Sequence, residues 1–142
     1  MRGATMCLLN QERTSAGLTT LRSSRQLRTA AKRYSRAMVR RHFFNHVSPT
    51  GGTLVNRVLN STVYIRGPGP ALLSENLGWG LGDHATARAM VQAWMQSPTH
   101  RDVILDPLFH HIGIGIAIGA PQDGMGLPAA TYTTYFGRRT PR

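Results

Sequence analysis

An alternation of isoleucine with small residues near the C-terminal end constrains the fold more than any other feature of the sequence. Isoleucines at every second position from Ile112 to Ile118 are separated by Gly113, Gly115 and Ala117. A two-residue repeat of this kind predicts a β-strand. One face of the strand is bulky and the other is almost bare, so another element packs closely on the bare face or a helix covers it.

A hairpin and several helices together define the expected fold class. The Asp123-Gly124 turn returns the chain into a second strand over residues 130–136. Caps and apolar spacing predict helical segments that all precede the hairpin: 5–15, a helix from Ser24 to near His42, 53–59, a helix capped by Asp83, and a turn capped by Ser97. Helices followed by an antiparallel hairpin indicate an α+β domain with helices packed on a sheet. No apolar run approaches the ~20 residues of a transmembrane helix.

The helix that follows Ser24 is predicted to have two unlike faces. Apolar residues recur from Leu27 through Ala31 and Tyr34 to Met38, which is the spacing of one buried stripe. The opposite side is basic and faces solvent. Its members are Arg25, Arg28, Lys32, Arg36 and Arg40.

The positive charge of the chain is concentrated in one interval. The formal net charge is +11, and no Asp or Glu occurs between Glu12 and Glu75. Such a field favours anionic partners, namely nucleic acid, lipid headgroups or cell-wall polymers. A solvated basic face that aids solubility is nevertheless the favoured explanation. Because the basic residues lie on a single helix face without interleaved aromatics, stacking on nucleic-acid bases is not supported.

Three residues are the main candidates for chemistry. His46, Glu75 and His100 each lie in a short segment rich in Gly, Pro, Ser or Asn, and we expect these segments to be loops. Two imidazoles and a carboxylate form a divalent-metal or acid–base cluster if they converge. Their wide spacing does not by itself show convergence.

Other candidate groups are weaker on the sequence alone. His42 and His46 have the spacing of a chelating helical pair, but the approaching Pro49 indicates that His42 ends the helix. We expect at most one of His110 and His111 to be functional, because neighbours on a strand point to opposite faces. Cys7 is a nucleophile candidate if it is exposed beside a base, but its apolar surroundings predict a buried residue.

Five segments in order carry a resemblance to a known family. They are Leu8–Arg13 with Gly17-Leu18, Phe44–Gly51, Glu75-Asn76-Leu77, Ala93–Arg101 with Ile104-Leu105, and His111–Gly115, followed by a closing stretch from Tyr132 to Gly137. In this order the segments resemble the bacterial branch of the CAP superfamily, which comprises the cysteine-rich secretory proteins, antigen 5 and the pathogenesis-related 1 proteins. The resemblance extends over nearly the whole chain.

The resemblance implies a three-layer α-β-α sandwich with a central antiparallel sheet. The domain would span residues 6–137, with short tails at 1–5 and 138–142. It also implies an extracellular or cell-envelope location. The longest apolar stretch near the start is too short for a signal peptide. Either the chain is cytoplasmic or, as the resemblance favours, an export signal lies outside these residues.

By motif, the resemblance assigns His46, Glu75 and His100 to a cleft that holds a divalent cation, with zinc as the first choice. Many eukaryotic relatives carry a second glutamate three residues after the tryptophan, whereas Trp94 is followed here by Met95-Gln96-Ser97. Gln96 and Ser97 are therefore the candidate polar substitutes.

The resulting expectation is a secreted, monomeric binding domain that also meets an anionic lipid or wall polymer through the basic helix. The family has no agreed general catalytic activity, so we assign no catalytic residue. The alternative is a metal-dependent hydrolase in which Glu75 acts as base for a bound water.

Overall fold

A computed structural model describes residues 1–67, 69–123 and 126–140 of the chain. Helices and strands are interspersed along these residues, with a 3₁₀ turn at Gly82–Ala85. The elements are α1 (Arg2–Ser15), β1 (Arg22–Ser23), α2 (Arg25–Arg41), α3 (Leu54–Ser61), β2 (Ala71–Leu81), α4 (Ala87–Gln96), α5 (Pro98–Ile104), β3 (His111–Ile118) and β4 (Ala129–Arg139). No helix of the described residues is both long and apolar enough to cross a bilayer.

The four strands form one sheet in the order β1-β3-β4-β2. β4 is antiparallel to both β2 and β3, whereas the two-residue β1 runs parallel to β3. Helices cover both faces: α2 and α3 pack on one, and α1, α4 and α5 pack on the other. The α+β sandwich is thus confirmed, and the sheet departs from the expected antiparallel arrangement only at β1. The predicted Asp123-Gly124 turn lies partly outside the described residues.

The bare face of β3 is covered by the backbone of α2. A Cβ atom added at Gly113 would overlap backbone atoms of Leu27 and Arg28, and one added at Gly115 would overlap those of Ala31 and Lys32. The glycines therefore allow the helix axis to approach the sheet more closely than any side chain would permit. This confirms the close packing predicted from the Ile/Gly alternation.

Both ends of α2 are also as predicted. The Ser24 side chain accepts a hydrogen bond from the Leu27 amide, and His42 closes the helix in the left-handed region at φ 53°. The N-terminal cap of α4 differs from the prediction. Asp83 lies within the 3₁₀ turn, and Thr86 caps the helix by accepting from the amide of Ala89.

The sequence patterns do not predict β2, which places Glu75 in the middle of a strand rather than in a loop. This strand contains no β-branched residue, so it lacks the composition typical of strands. Backbone pairing with β4 over its full length stabilises it instead. β2 is the edge strand of the sheet, and its neighbouring residues Glu75 and Asn76 point to opposite faces.

Candidate functional site

Glu75 is the centre of a polar cluster on the α2/α3 side of β2. Its side chain is only 5% exposed. One carboxylate oxygen, Oε1, lies 2.8 Å from Nδ1 of His46, and the other, Oε2, accepts a hydrogen bond of 2.7 Å from Nη2 of Arg57. Both oxygens are thus held by fixed partners, and His46 presents a 59% exposed side chain at the surface of the cluster.

Arg57 of α3 joins this cluster to the rest of the molecule. Its guanidinium donates to the carbonyls of His46 and Gly52 at 2.6 and 3.0 Å and to the Tyr135 hydroxyl at 2.8 Å. It also lies 3.5 Å from the centre of the Tyr34 ring. Burial alone would lower the pKa of Arg57, but Tyr135 and Glu75 raise it, so the side chain remains a cation. Arg57 therefore fixes both Glu75 and the loop that carries His46.

Sequence reasoning misses Arg57 as a site residue. The available signal is that Arg57 is the only charged residue of the predicted helix at 53–59. A lone arginine on a short helix is common at protein surfaces, so the signal is weak.

His100 approaches the same edge of the sheet from α5. Its carbonyl accepts a hydrogen bond of 3.0 Å from the Asn76 side chain, and its Nδ1 lies 3.0 Å from the Ser97 hydroxyl. Burial, and next the nearby imidazole of His46, lower the pKa of His100 below its ordinary 6.5. His100 is therefore neutral at pH 7. Ser97 has the polar contact expected of it, whereas Gln96 is exposed and its side chain makes no hydrogen bond within the described residues.

A groove of about 470 Å³ opens beside His100. Its walls are mainly aromatic and aliphatic, with a few imidazole and hydroxyl groups among them. The residues that define it include Phe44, Trp79, His84, Trp94, Ser97 and His100. A mainly apolar groove with a few polar groups is typical of a small-molecule binding site.

The predicted trio is joined only in part. His46 and Glu75 are hydrogen-bonded to each other, whereas His100 bonds to neither of them, and His46 affects it only by lowering its pKa. No three His, Cys, Asp or Glu side chains of the described residues form a group able to hold a metal ion. Two features do suit a metal. Each imidazole has its Nδ1 engaged, and neither Nε2 has a hydrogen-bond partner among the described residues.

The remaining sequence candidates have separate locations. His42 ends α2 and pairs with Asp123 at 3.3 Å, so it is not part of a chelating pair with His46. The prediction that Cys7 is buried is wrong, because α1 presents it to solvent. The cavity that Cys7 lines has no His, Asp or Glu in its wall to act as a base.

His110 and His111 both line one pocket, so the expectation that only one of them can enter a site does not hold there. His110 lies one residue before the start of β3. The basic residues of α2 are placed as predicted, with Arg25, Lys32, Arg36 and Arg40 exposed and Arg28 half-buried.

Comparisons with known proteins agree with this architecture. The sequence profile of the CAP family, described as the cysteine-rich secretory protein family, matches residues 7–136. An uncharacterized protein of Bacillus subtilis, YkwD, is 34% identical over 108 residues, which are 76% of this chain but only 39% of that protein. The chain thus spans about two fifths of the length of this relative.

Solved structures show the same fold. An extracellular protein with an SCP domain from Bacillus anthracis is 27% identical with a TM-score of 0.74, and the match covers 97% of this chain and 41% of that one. An outer surface protein of Borrelia burgdorferi has a TM-score of 0.75 at 20% identity, and the match covers 95% of this chain and 90% of that one. On the strength of the family match over residues 7–136, the chain belongs to the CAP family of cysteine-rich secretory proteins.

Proposed function

We propose that this chain is an extracytoplasmic binding domain that holds a divalent cation, zinc first, between His46 and His100. The observation that carries the proposal is that both imidazoles are held through Nδ1 and leave Nε2 without a hydrogen-bond partner among the described residues. Each has its Nδ1 fixed by an oxygen partner, Glu75 for His46 and Ser97 for His100. A metal on Nε2 requires the proton on Nδ1, and these oxygens are placed to accept it.

In this proposal Glu75 orients His46 and does not bind the metal. Both of its oxygens already have partners, one of them the cation Arg57. A carboxylate behind a ligating histidine fixes the ring and raises its basicity. A zinc ion with two protein ligands keeps open positions for water or a bound ligand, and the groove beside His100 gives such a ligand an apolar wall. Both Glu75 oxygens are occupied by His46 and Arg57, so neither is free to take a proton from a bound water, and the hydrolase alternative gains no support.

An extracytoplasmic location is supported by the relatives. One similar structure is described as an extracellular protein and another as an outer surface protein.

Zinc titration followed by calorimetry tests the metal site. We expect His46→Ala and His100→Ala each to weaken zinc binding by more than tenfold, and Glu75→Gln to weaken it by about 10- to 100-fold through the loss of ring orientation. Because the pKa of His100 lies below 6.5, protons compete with zinc for this imidazole only as the pH falls below that value. The zinc affinity is therefore expected to decrease from pH 6.5 towards pH 5.

His42→Ala is the matched control, since it removes an exposed histidine outside the cluster. Zinc affinity unchanged in both His46→Ala and His100→Ala would overturn the metal site. Thermal unfolding of each variant separates loss of binding from loss of fold.

We further propose that the basic face of α2 meets anionic membrane or wall surfaces. α2 contains no acidic residue, and its charges project away from the buried stripe. Within the described part of the chain, Arg28, Lys32 and Arg36 form no salt bridge. A basic residue near an anionic membrane contributes about 1 kcal/mol, so removal of three weakens binding by about 100-fold.

Vesicles that contain phosphatidylglycerol provide the test. The triple reversal Arg28→Glu, Lys32→Glu and Arg36→Glu is expected to abolish sedimentation with them at low salt. The control reverses Arg2, Arg88 and Arg101, which are exposed on helices of the opposite layer, and changes the net charge by the same amount. Equal losses in both variants would show that net charge alone acts, and would contradict a specific role for α2.

A further inference from the structure

A second pocket lies at the end of the sheet where β1 and β3 begin and β4 ends. It has a volume of about 500 Å³, within the range of small-molecule sites. Its walls are Thr19, Thr20, Arg22, His110, His111, Arg138 and Arg139. None of these residues belongs to the His46–Glu75 cluster, so this pocket is separate from the proposed metal site.

The wall of the pocket is strongly and uniformly positive. It contains arginine, histidine and threonine but no Asp or Glu. Within the described residues, Arg22, Arg138 and Arg139 take part in no salt bridge. Like charges that line a concave surface focus the potential inside it and attract an anion of matching charge.

Packing around Tyr64 holds two of the lining residues, Arg139 and His111, in place. The Arg139 guanidinium lies where a Cβ atom at Gly67 would be, and it sits 5.9 Å from the centre of the buried Tyr64 ring. The Tyr64 hydroxyl in turn lies 2.9 Å from Nδ1 of His111. Arg139 and His111 are therefore positioned through one tyrosine.

On the side of the pocket formed by Thr19 and Thr20, the backbone is held by the buried side chain of Arg13. The Thr19 carbonyl accepts a hydrogen bond of 2.9 Å from Arg13, which is fully buried. Thr19 and Thr20 both line the pocket, and their hydroxyls make no hydrogen bond within the described residues. Burial, then the positive charges of His110, Arg22 and Arg139, lower the pKa of His111, which agrees with a positive potential at this position.

We propose that this pocket binds a compound with two linked phosphate groups, held by Arg22, Arg138 and Arg139. Guanidinium groups bind phosphate oxygens through paired hydrogen bonds, and hydroxyl donors complete such sites. The charge of three guanidinium groups matches that of a diphosphate better than that of a single carboxylate. The diphosphate belongs either to a free small molecule or to a lipid headgroup, since the chemistry is shared.

Calorimetry with sodium pyrophosphate at physiological salt tests the proposal. We expect saturable binding with one site per chain, weakened by at least about tenfold in Arg22→Gln and in Arg139→Gln, because a hydrogen bond to a charged group is lost in each. Arg22 is exposed, so Arg22→Gln is expected to keep the fold. It therefore tests the pocket even if Arg139→Gln unfolds the chain. The control pair Arg88→Gln and Arg101→Gln removes exposed charges elsewhere.

Two further readouts decide the outcome. In NMR titrations, pyrophosphate is expected to raise the pKa of His111, because a bound anion offsets Arg22, Arg139 and His110. Unchanged binding in Arg22→Gln, or equal weakening in the control pair, would overturn the site. Vesicles that carry a lipid diphosphate identify the source: displacement of bound chain by pyrophosphate assigns a headgroup, and binding of pyrophosphate without vesicle binding assigns a free compound.

Discussion

Replacing Arg13 with methionine is expected to lower the free energy of unfolding by about 4 kcal/mol. Arg13 lies in the last turn of α1, and its side chain is fully buried. Its guanidinium donates to the carbonyls of Thr19, Ile104, Asp106 and Phe109 at 2.7 to 3.2 Å. These acceptors belong to the backbone and stay when the donor is removed, and a buried unsatisfied carbonyl costs about 1–3 kcal/mol.

Urea denaturation measures this effect. Burial lowers the pKa of Arg13 against the opposing influence of Asp106, which agrees with a desolvated cation that is stabilised mainly by hydrogen bonds. Arg13→Lys should lose less stability than Arg13→Met, because an ammonium group can still donate to some of the carbonyls. Arg2→Met is the control on the exposed part of α1. An unfolding free energy for Arg13→Met within about 1 kcal/mol of the parent chain would contradict the role given to these bonds.

Substitution of Gly115 by alanine is expected to destabilise the domain by about 3 kcal/mol or more, and Gly113→Ala by a similar amount. A methyl group at either position overlaps the backbone of α2, which cannot move aside as a flexible side chain can. The helix must therefore lift from the sheet along its buried stripe. Thermal unfolding measures the loss.

Gly3→Ala makes the same chemical change at a position where nothing lies within 4 Å of the added atom. Because Gly3 is inside α1, alanine there should stabilise the chain by about 0.5–1 kcal/mol. Opposite signs at Gly3 and Gly115 are the expected result. A neutral Gly115→Ala would show that the approach of α2 to β3 is looser than described.

The parts of the fold that sequence could predict are those in which local patterns and tertiary packing agree. The apolar stripe from Leu27 to Met38 predicts that one face of α2 is buried. The Ile/Gly alternation predicts a bare face on β3, and the two surfaces pack against each other in the structure. β2 could not be predicted in this way, because its stability comes from pairing with β4 and not from its own composition. His110 shows a further limit: it lines the same pocket as its neighbour His111, which the alternation of side chains along a strand does not predict.

For the site, motif order identified His46, Glu75 and His100 but not the contacts between them. Arg57 links Glu75 to Tyr34, Gly52 and Tyr135, and these residues are far apart in sequence. Only the folded chain shows that Glu75 is an ion-paired group behind His46 rather than a free carboxylate. The roles of His46, Glu75 and His100 therefore depend on contacts between distant residues, which no local sequence pattern predicts.

A crystal structure of the chain grown with zinc, with anomalous diffraction recorded at the zinc edge, tests the central claim most directly. We predict one strong peak bonded to Nε2 of both His46 and His100 at about 2.0–2.1 Å, with Glu75 still bonded to Nδ1 of His46 and to Arg57. A peak held instead by the Glu75 carboxylate without His100, or zinc bound only at other histidines, would contradict it.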